Sequence, residues 1–214
     1  MYIKTKASIA NDNLYKKIKN LGGVTMNYHY KKLQGEKVYL SPASMDDVDT
    51  FVEWMNDFQI TDYTGRSSQT CSYEQEKAFV AEQVKQNSYF MAIVREDNDE
   101  VIGTIALNRI NFVDRAATLG IMIGKNENRS KGYGTEAIGL ILDFAFNYLN
   151  LNSVFLTYLE CNARARKCYE KVGFKEIGRR RKCKFVNGKY YDSVMMDILA
   201  EEFAVEYIKN KNVR

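Results

Sequence analysis

Between an alternating apolar run, Ala117, Leu119, Ile121 and Ile123, and an apolar helical stretch beginning near Gly132 stands the hexapeptide Arg129-Ser130-Lys131-Gly132-Tyr133-Gly134. A strand that passes through glycines into a helix leaves the chain few folds. The strand belongs inside a sheet, the helix covers that sheet, and the connecting backbone turns where no Cβ atoms stand in the way. The same stretch suits an anion, because the first N–H groups of a helix lack intrahelical acceptors and the helix dipole adds positive potential. Gly132 and Gly134 allow close backbone approach, and Arg129 and Lys131 add charge beside it. On these residues alone two readings stand level: a diphosphate cradle, and an ordinary glycine-containing helix start with solvated bases.

A rival pattern overlaps the loop. Gly132-Tyr133-Gly134-Thr135-Glu136-Ala137 also fits G-x-G-x-x-A, the dinucleotide fingerprint, with Glu160 at the end of the next strand as a ribose-binding acid. In that motif the first glycine follows its strand directly, whereas here Lys125 to Lys131 intervene. The motif also opens a chain of repeated βαβ units, and one such unit is visible here.

Periodicity supplies the rest of the order. Val38-Tyr39-Leu40 reads as a short strand closed by Ser41-Pro42. Ser44 reads as an N-cap with Asp46 and Asp47 in the first turn, and Val48, Phe51, Val52 and Met55 follow at the spacing of one buried helix face. Asn56-Asp57 closes that helix, and a loop is expected through Thr61 to Gly65. Ser72 caps a second helix reaching about Gln86, with Phe79, Val80 and Val84 expected on its inner side. Strands are expected over Tyr89 to Val94, Val101 to Leu107 and Ala117 to Ile123. A helix from about Gly132 to Leu149 should bury Ile138, Ile141, Leu142, Ala145 and Leu149. Val154 to Leu159 is a continuous apolar run, as for a strand covered on both faces. A short helix over roughly Ala163 to Val172 ends at Gly173, and Asn187-Gly188 is a two-residue hairpin turn joining strands near 179–186 and 189–199. The order β α α β β β α β α β β predicts a mixed α/β fold, its sheet partly antiparallel and partly parallel. Residues 1–35, rich in Asn, Lys and Tyr, read as an N-terminal extension, helical in part over Leu14 to Leu21. Residues 36–203 read as the domain, and 204–214 as a C-terminal tail.

Composition narrows the chemistry. With 31 basic and 27 acidic residues the net charge is +4, too mild to signal nucleic acid, and the one dense basic run, Arg179 to Lys182, reads as a solvated strand start. No apolar stretch approaches a membrane span, and the opening residues lack a signal peptide's apolar centre. Cys71, Cys161, Cys168 and Cys183 form no Cys-x-x-Cys pair, and His29 is the only histidine, which argues against a metal site and a histidine-based triad. A reduced cytoplasmic protein is the simplest account.

Two linked motifs then carry a resemblance: R-x-x-G-x-G at 129–134, and Asn162 followed by Tyr169-Glu170-Lys171-Val172-Gly173-Phe174. With the run from Val38-Tyr39-Leu40 to Trp54-Met55-Asn56-Asp57, the chain resembles the GNAT superfamily of acyl-CoA N-acyltransferases. Within it, the chain is similar to the subgroup of ribosomal-protein-alanine and polyamine acetyltransferases. The resemblance covers about Glu36 to Phe203. It implies a GNAT-like fold, a central mixed sheet flanked by helices, with a splayed parallel strand pair around 117–124 and 153–159. It also implies acetyl-CoA as the acetyl donor: pantetheine in the gap beside Met122, Ile123 and Gly124, and the diphosphate on N–H groups of Ser130, Lys131, Gly132, Tyr133, Gly134 and Thr135. Asn162 would contact the pantetheine arm, and Tyr169 would face the thioester sulfur.

The resemblance implies direct attack of a neutral primary amine on the thioester in a ternary complex, with no covalent enzyme intermediate. An amine of pKa about 10 must first lose a proton. A backbone N–H near Met122 or Ile123 would stabilise the oxyanion. Where relatives carry a basic glutamate this chain has Thr118, and Thr157 on the next strand, so no base is assigned; Glu160, Glu53, Asp57 and a water relay stay open. The acceptor, a small-molecule or peptide amine, is expected from the side built by the first two helices and the C-terminal hairpin, near Asp57, Asp62, Tyr63, Tyr190, Tyr191 and Asp192. A homodimer is left open. Two other readings remain: a non-catalytic acyl-CoA-binding regulatory domain, and a dinucleotide-binding oxidoreductase.

Overall fold

A computed structural model describes residues 29–86 and 89–210. The helix expected over Leu14 to Leu21 lies outside the described residues. Eight strands form one sheet in the order β1-β2-β3-β4-β5-β6-β8-β7. They are β1 (Leu33–Gln34), β2 (Val38–Pro42), β3 (Tyr89–Arg95), β4 (Val101–Asn111), β5 (Ala116–Ile123), β6 (Ser153–Leu159), β7 (Lys175–Val186) and β8 (Lys189–Leu199). Neighbours are antiparallel except β5 and β6, which run parallel because the helix between them returns the chain to the same edge. The mixed α/β architecture expected from the pattern is the one observed.

The parallel pairing is short. It joins Ala116 to Ser153, Ala117 to Val154 and Thr118 to Phe155, and stops there. β5 continues to Ile123, held by β4 through Gly103, while β6 continues to Leu159, held by β8 through Ser193. Each strand follows its antiparallel partner, so the two diverge and leave a wedge between Leu119–Ile123 and Leu156–Leu159.

Five helices flank the sheet among the described residues: α1 (Val48–Met55), α2 (Phe58–Thr64), α3 (Tyr73–Lys85), α4 (Tyr133–Asn147) and α5 (Ala163–Val172). α4 carries the main core. Ile138, Leu140, Ile141, Leu142 and Ala145 are fully buried, more than one face of a helix can supply to a sheet. The excess is covered by α5 and by the chain beyond β8. There the buried carboxylate of Asp143 accepts the N–H groups of Tyr207 at 2.8 Å and Ile208 at 3.0 Å, and the Tyr207 ring occupies the space a side chain on Gly139 would need. Residues 204–210 thus lie along α4, and Lys209 N–H reaches the Gln34 carbonyl at 2.8 Å. A second cluster, Val48, Phe51, Trp54, Ile60 and Val80, packs α1, α2 and α3 together.

Five expectations need correction. The segment through Thr61 to Thr64 is helical, not a loop: Asp57 accepts the Gln59 N–H at 2.8 Å and starts α2, and Gly65 ends it at φ 69°. On α3 Val80 is the apolar residue that is fully buried; Phe79 and Val84 are 45% and 53% exposed, Phe79 lying edge-on against Phe90 at the rim of the cluster. β6 is not covered on both faces: its burial alternates, with Thr157 exposed, since one side of this strand borders the wedge. β7 begins at Lys175 rather than near 179, and β1 lies within the segment read as an extension. The hairpin turn stands as expected, with Asn187 and Gly188 both at positive φ.

Candidate active site

The wedge opens toward the connection from β5 to α4. Asn126–Asn128 forms a 3-10 turn, and Ser130 and Gly132 then take left-handed conformations, φ 60° and 89°. Gly132 is the N-cap of α4 and no side chain caps it. The first helical bond is from Glu136 N–H to the Gly132 carbonyl at 3.0 Å. Among the described residues none accepts the N–H groups of Lys131, Gly132, Tyr133, Gly134 or Thr135, so these donors face outward unpaired. A Cβ on Gly134 would meet nothing nearer than Ile123 at 3.7 Å. The glycine is therefore not demanded by protein neighbours, and it keeps the helix start open. Five free donors at a dipole's positive end fit a diphosphate.

Arg129 has a different task from the one expected. Its guanidinium donates to the carbonyls of Gly124 at 2.8 Å, Ile123 at 3.3 Å and Gln59 at 3.1 Å, tying the end of β5 to α2. Burial, with Arg164 beside it, lowers its pKa from the usual arginine value. Gly124 also spends its N–H on the Ile102 carbonyl at 2.9 Å, so both of its backbone groups are engaged. Ser130 and Lys131 are exposed, and Tyr133 and Thr135 are half-buried, with Thr135 Oγ1 3.3 Å from Cys168 Sγ.

Asn162 is the N-cap of α5: its oxygen accepts Ala165 N–H at 3.1 Å, and its amide donates to the Tyr63 carbonyl at 3.3 Å. It thereby joins the end of β6 to α2 across the mouth of the wedge. Tyr169, seven residues on, is 8% exposed and packs between the rings of Tyr158 and Phe174, at 5.7 and 6.0 Å. No protein group among the described residues hydrogen-bonds its hydroxyl. Burial raises its pKa well above an ordinary phenol's, so it is a neutral donor at physiological pH. Cys161 is exposed, and burial of its sulfur still raises its thiol pKa.

In front of the wedge lies a cleft of about 650 Å³ between α2, the start of α5 and the β7–β8 hairpin. Asp62, Tyr63, Cys161, Arg164 and Tyr191 line it, and the Arg164 guanidinium stacks over the Tyr63 ring at 5.0 Å. Of the acids weighed as bases, Glu160 accepts Asp192 N–H at 2.8 Å, Asp57 is the cap of α2, and Glu53 is exposed. Trp54, Lys37 and Arg164 were not connected with this region from the sequence. Trp54 and Lys37 arrive from elements far away along the chain, while Arg164 stands two residues after Asn162 on α5, where no local pattern marks it.

Comparison with known proteins agrees with the geometry. Residues 37–175 match the family model for the acetyltransferase (GNAT) domain. The chain belongs to the GNAT acetyltransferase family. A spermidine N(1)-acetyltransferase of Vibrio cholerae is 30% identical over 132 residues, covering 62% of this chain and 76% of that protein. An uncharacterized N-acetyltransferase, p20, of Bacillus licheniformis is 27% identical over 80% of this chain and 98% of its own. Among solved structures, the Vibrio cholerae spermidine N-acetyltransferase in complex with CoA and spermine superposes with a TM-score of 0.69 at 27% identity, covering 78% of this chain and 97% of that one. The GNAT domain is an enzyme fold that uses acetyl-CoA, and acetyl transfer to an amine is the activity of this family. The dinucleotide alternative does not hold: a 3-10 turn separates β5 from the glycines, and the sheet is mixed rather than doubly wound. No helix among the described residues is long and apolar enough to cross a membrane.

Proposed function

We propose that this GNAT enzyme binds acetyl-CoA along the wedge and acetylates a primary amine admitted through the 650 Å³ cleft. The observation that carries the reading is the early end of the β5–β6 ladder at Thr118 and Phe155, directly below five unpaired amides at the start of α4. A slot with free strand edges suits the amide-bearing pantetheine arm, and the amides suit the diphosphate.

In this reading the amine, already neutral, attacks the thioester carbon. The new C–N bond forms, the C–S bond breaks, and the ammonium proton passes to solvent or to a water held in the cleft. Backbone N–H near Met122 or Ile123 stabilises the oxyanion. The Tyr169 hydroxyl, neutral and without a protein partner, donates to the departing thiolate. Asn162 holds α2 and α5 at the spacing the acyl chain requires, and Arg129 fixes the end of β5.

Polycations gain most from a cleft lined by several carboxylates. Asp62 and Arg164 face this one together, so the class supported is the primary amine, with polyamines to be tried first because relatives are named for spermidine. A thiol-release screen with acetyl-CoA against polyamines, peptides, aminoglycosides and amino sugars tests the proposal. Tight CoA binding with no thiol release from any amine would favour the non-catalytic acyl-CoA-binding domain instead.

A further inference from the structure

Glu136, in the first turn of α4, reaches back to the turn between β1 and β2. Its carboxylate accepts the N–H of Glu36 and, at 3.0 and 3.2 Å, the N–H of Lys37. Gly35 lies so close that any side chain there would run into that carboxylate. On its other side the Lys37 carbonyl accepts Glu96 N–H at 2.9 Å. The Lys37 backbone is therefore fixed against the start of α4, and its side chain is carried onto the loop. Nζ lies 3.4 Å from the Lys131 carbonyl, and equally 3.4 Å from where a Cβ on Gly132 would stand.

A cleft of about 390 Å³ opens here, lined by Glu36, Lys37, Glu96, Asp97, Lys131 and Tyr133. Each of its acids is already paired: Glu36 with Lys209 at 2.7 Å, Asp97 with Arg95 at 2.5 Å, and Glu96 with Lys31. Lys37 and Lys131 are in no ion pair among the described residues. Of the charged side chains that line the cleft, Lys37 and Lys131 are thus the two without an ion-pair partner, and both stand beside Gly132. The carboxylate of Glu136, in the first turn, is turned onto the N–H groups of Glu36 and Lys37, and the two ammonium groups offset its charge at this helix end.

We propose that Lys37, presented by the β1–β2 turn, is a diphosphate-binding residue that closes the acetyl-CoA cradle from the side opposite the wedge. The inference rests on the cofactor reading above. It makes the turn at residues 35–37 part of the binding site rather than only an edge of the sheet.

Calorimetric titration of CoA, dephospho-CoA and pantetheine into the wild-type protein, Lys37→Ala and Lys37→Arg tests it. Lys37→Ala is expected to raise the Kd of CoA roughly fivefold at low salt, and that difference should shrink toward twofold at high salt. Dephospho-CoA should show the same loss, pantetheine none, and Lys37→Arg should bind nearly as the wild type. Melting temperatures within about 1 °C of wild type confirm that each variant is folded. An unchanged Kd in Lys37→Ala, or a loss seen with CoA but absent with dephospho-CoA, would overturn the assignment. Absence of CoA binding by the wild-type protein would instead overturn the cofactor reading itself.

Discussion

The indole of Trp54 occupies the space that any side chain on Gly124 would need. Trp54 is 3% exposed and belongs to the α1 cluster, so it cannot move aside. The end of β5, where the cofactor arm is proposed to lie, is therefore positioned by a helix on the acceptor side. Gly124→Ala should destabilise the fold by about 1–3 kcal/mol, the cost of overpacking a filled core. Urea denaturation would measure it, and an unchanged midpoint would show that the ring has room to yield.

The two loop glycines should respond in opposite ways. Gly132 stands at φ 89°, so Gly132→Ala should cost about 1–2 kcal/mol of stability from backbone strain alone. Gly134 lies inside α4, and a Cβ there would make ordinary van der Waals contact with Ile123, Cys168 and Ile121 without a clash. Gly134→Ala should stabilise the ligand-free protein by up to about 1 kcal/mol through helix propensity. The same methyl would stand between the start of α4 and the end of β5, where the cofactor is proposed to enter the wedge, and weaken CoA binding. Thermal melting and CoA titration on one sample separate the two effects; unchanged CoA affinity in Gly134→Ala would move the cradle elsewhere.

Tyr169→Phe keeps the ring between Tyr158 and Phe174 and removes only the hydroxyl. Thiol release should fall by about 10²-fold, in the range of general-acid effects, while the Kd of CoA stays nearly constant. Because burial raises this phenol's pKa, its ionisation lies above that of an exposed tyrosine, and the stability it contributes is complete below about pH 10 and lost above. Wild-type turnover should accordingly show no loss attributable to Tyr169 up to pH 10. Equal turnover in the variant would remove the residue from the mechanism.

Cys161 lies exposed on the wall of the cleft proposed to admit the amine, and its raised thiol pKa leaves little thiolate at neutral pH. Alkylation by a bulky maleimide should be slow at pH 7 and quicken as pH rises toward and beyond the ordinary thiol value. The modified enzyme should lose turnover in proportion to labelling, whereas Cys161→Ala retains it. Mass spectrometry against residual activity gives the correlation. Full activity after complete labelling would place the amine's path away from this cleft.

Much of this molecule could be read from short stretches of chain. The turn at Asn187-Gly188, the caps at Ser44 and Ser72, the end of α5 at Gly173 and the open start of α4 are set by residues within four positions of one another. Where neighbours in sequence did not decide, the expectation failed. Phe79 and Val84 have the type of inward-facing residues, yet they are 45% and 53% exposed, Phe79 meeting the Phe90 ring edge-on at the rim while Val80 alone of the three enters the cluster. α2 was missed because its residues, Phe58 to Thr64, have middling helix propensity and owe their start to one cap at Asp57.

By itself the sequence determined that a strand must enter a helix through open glycines, and that Asn162 and Tyr169 share a short helix behind it. Backbone amides and local caps are consequences of covalent neighbours, so linear order suffices for them. Only the tertiary structure decided that the β5–β6 ladder ends at Thr118, that Arg129 serves β5 rather than solvent, and that Lys37 stands beside Gly132. Those depend on which strand edge wins each partner and on contacts between residues 94 positions apart, which no periodicity encodes.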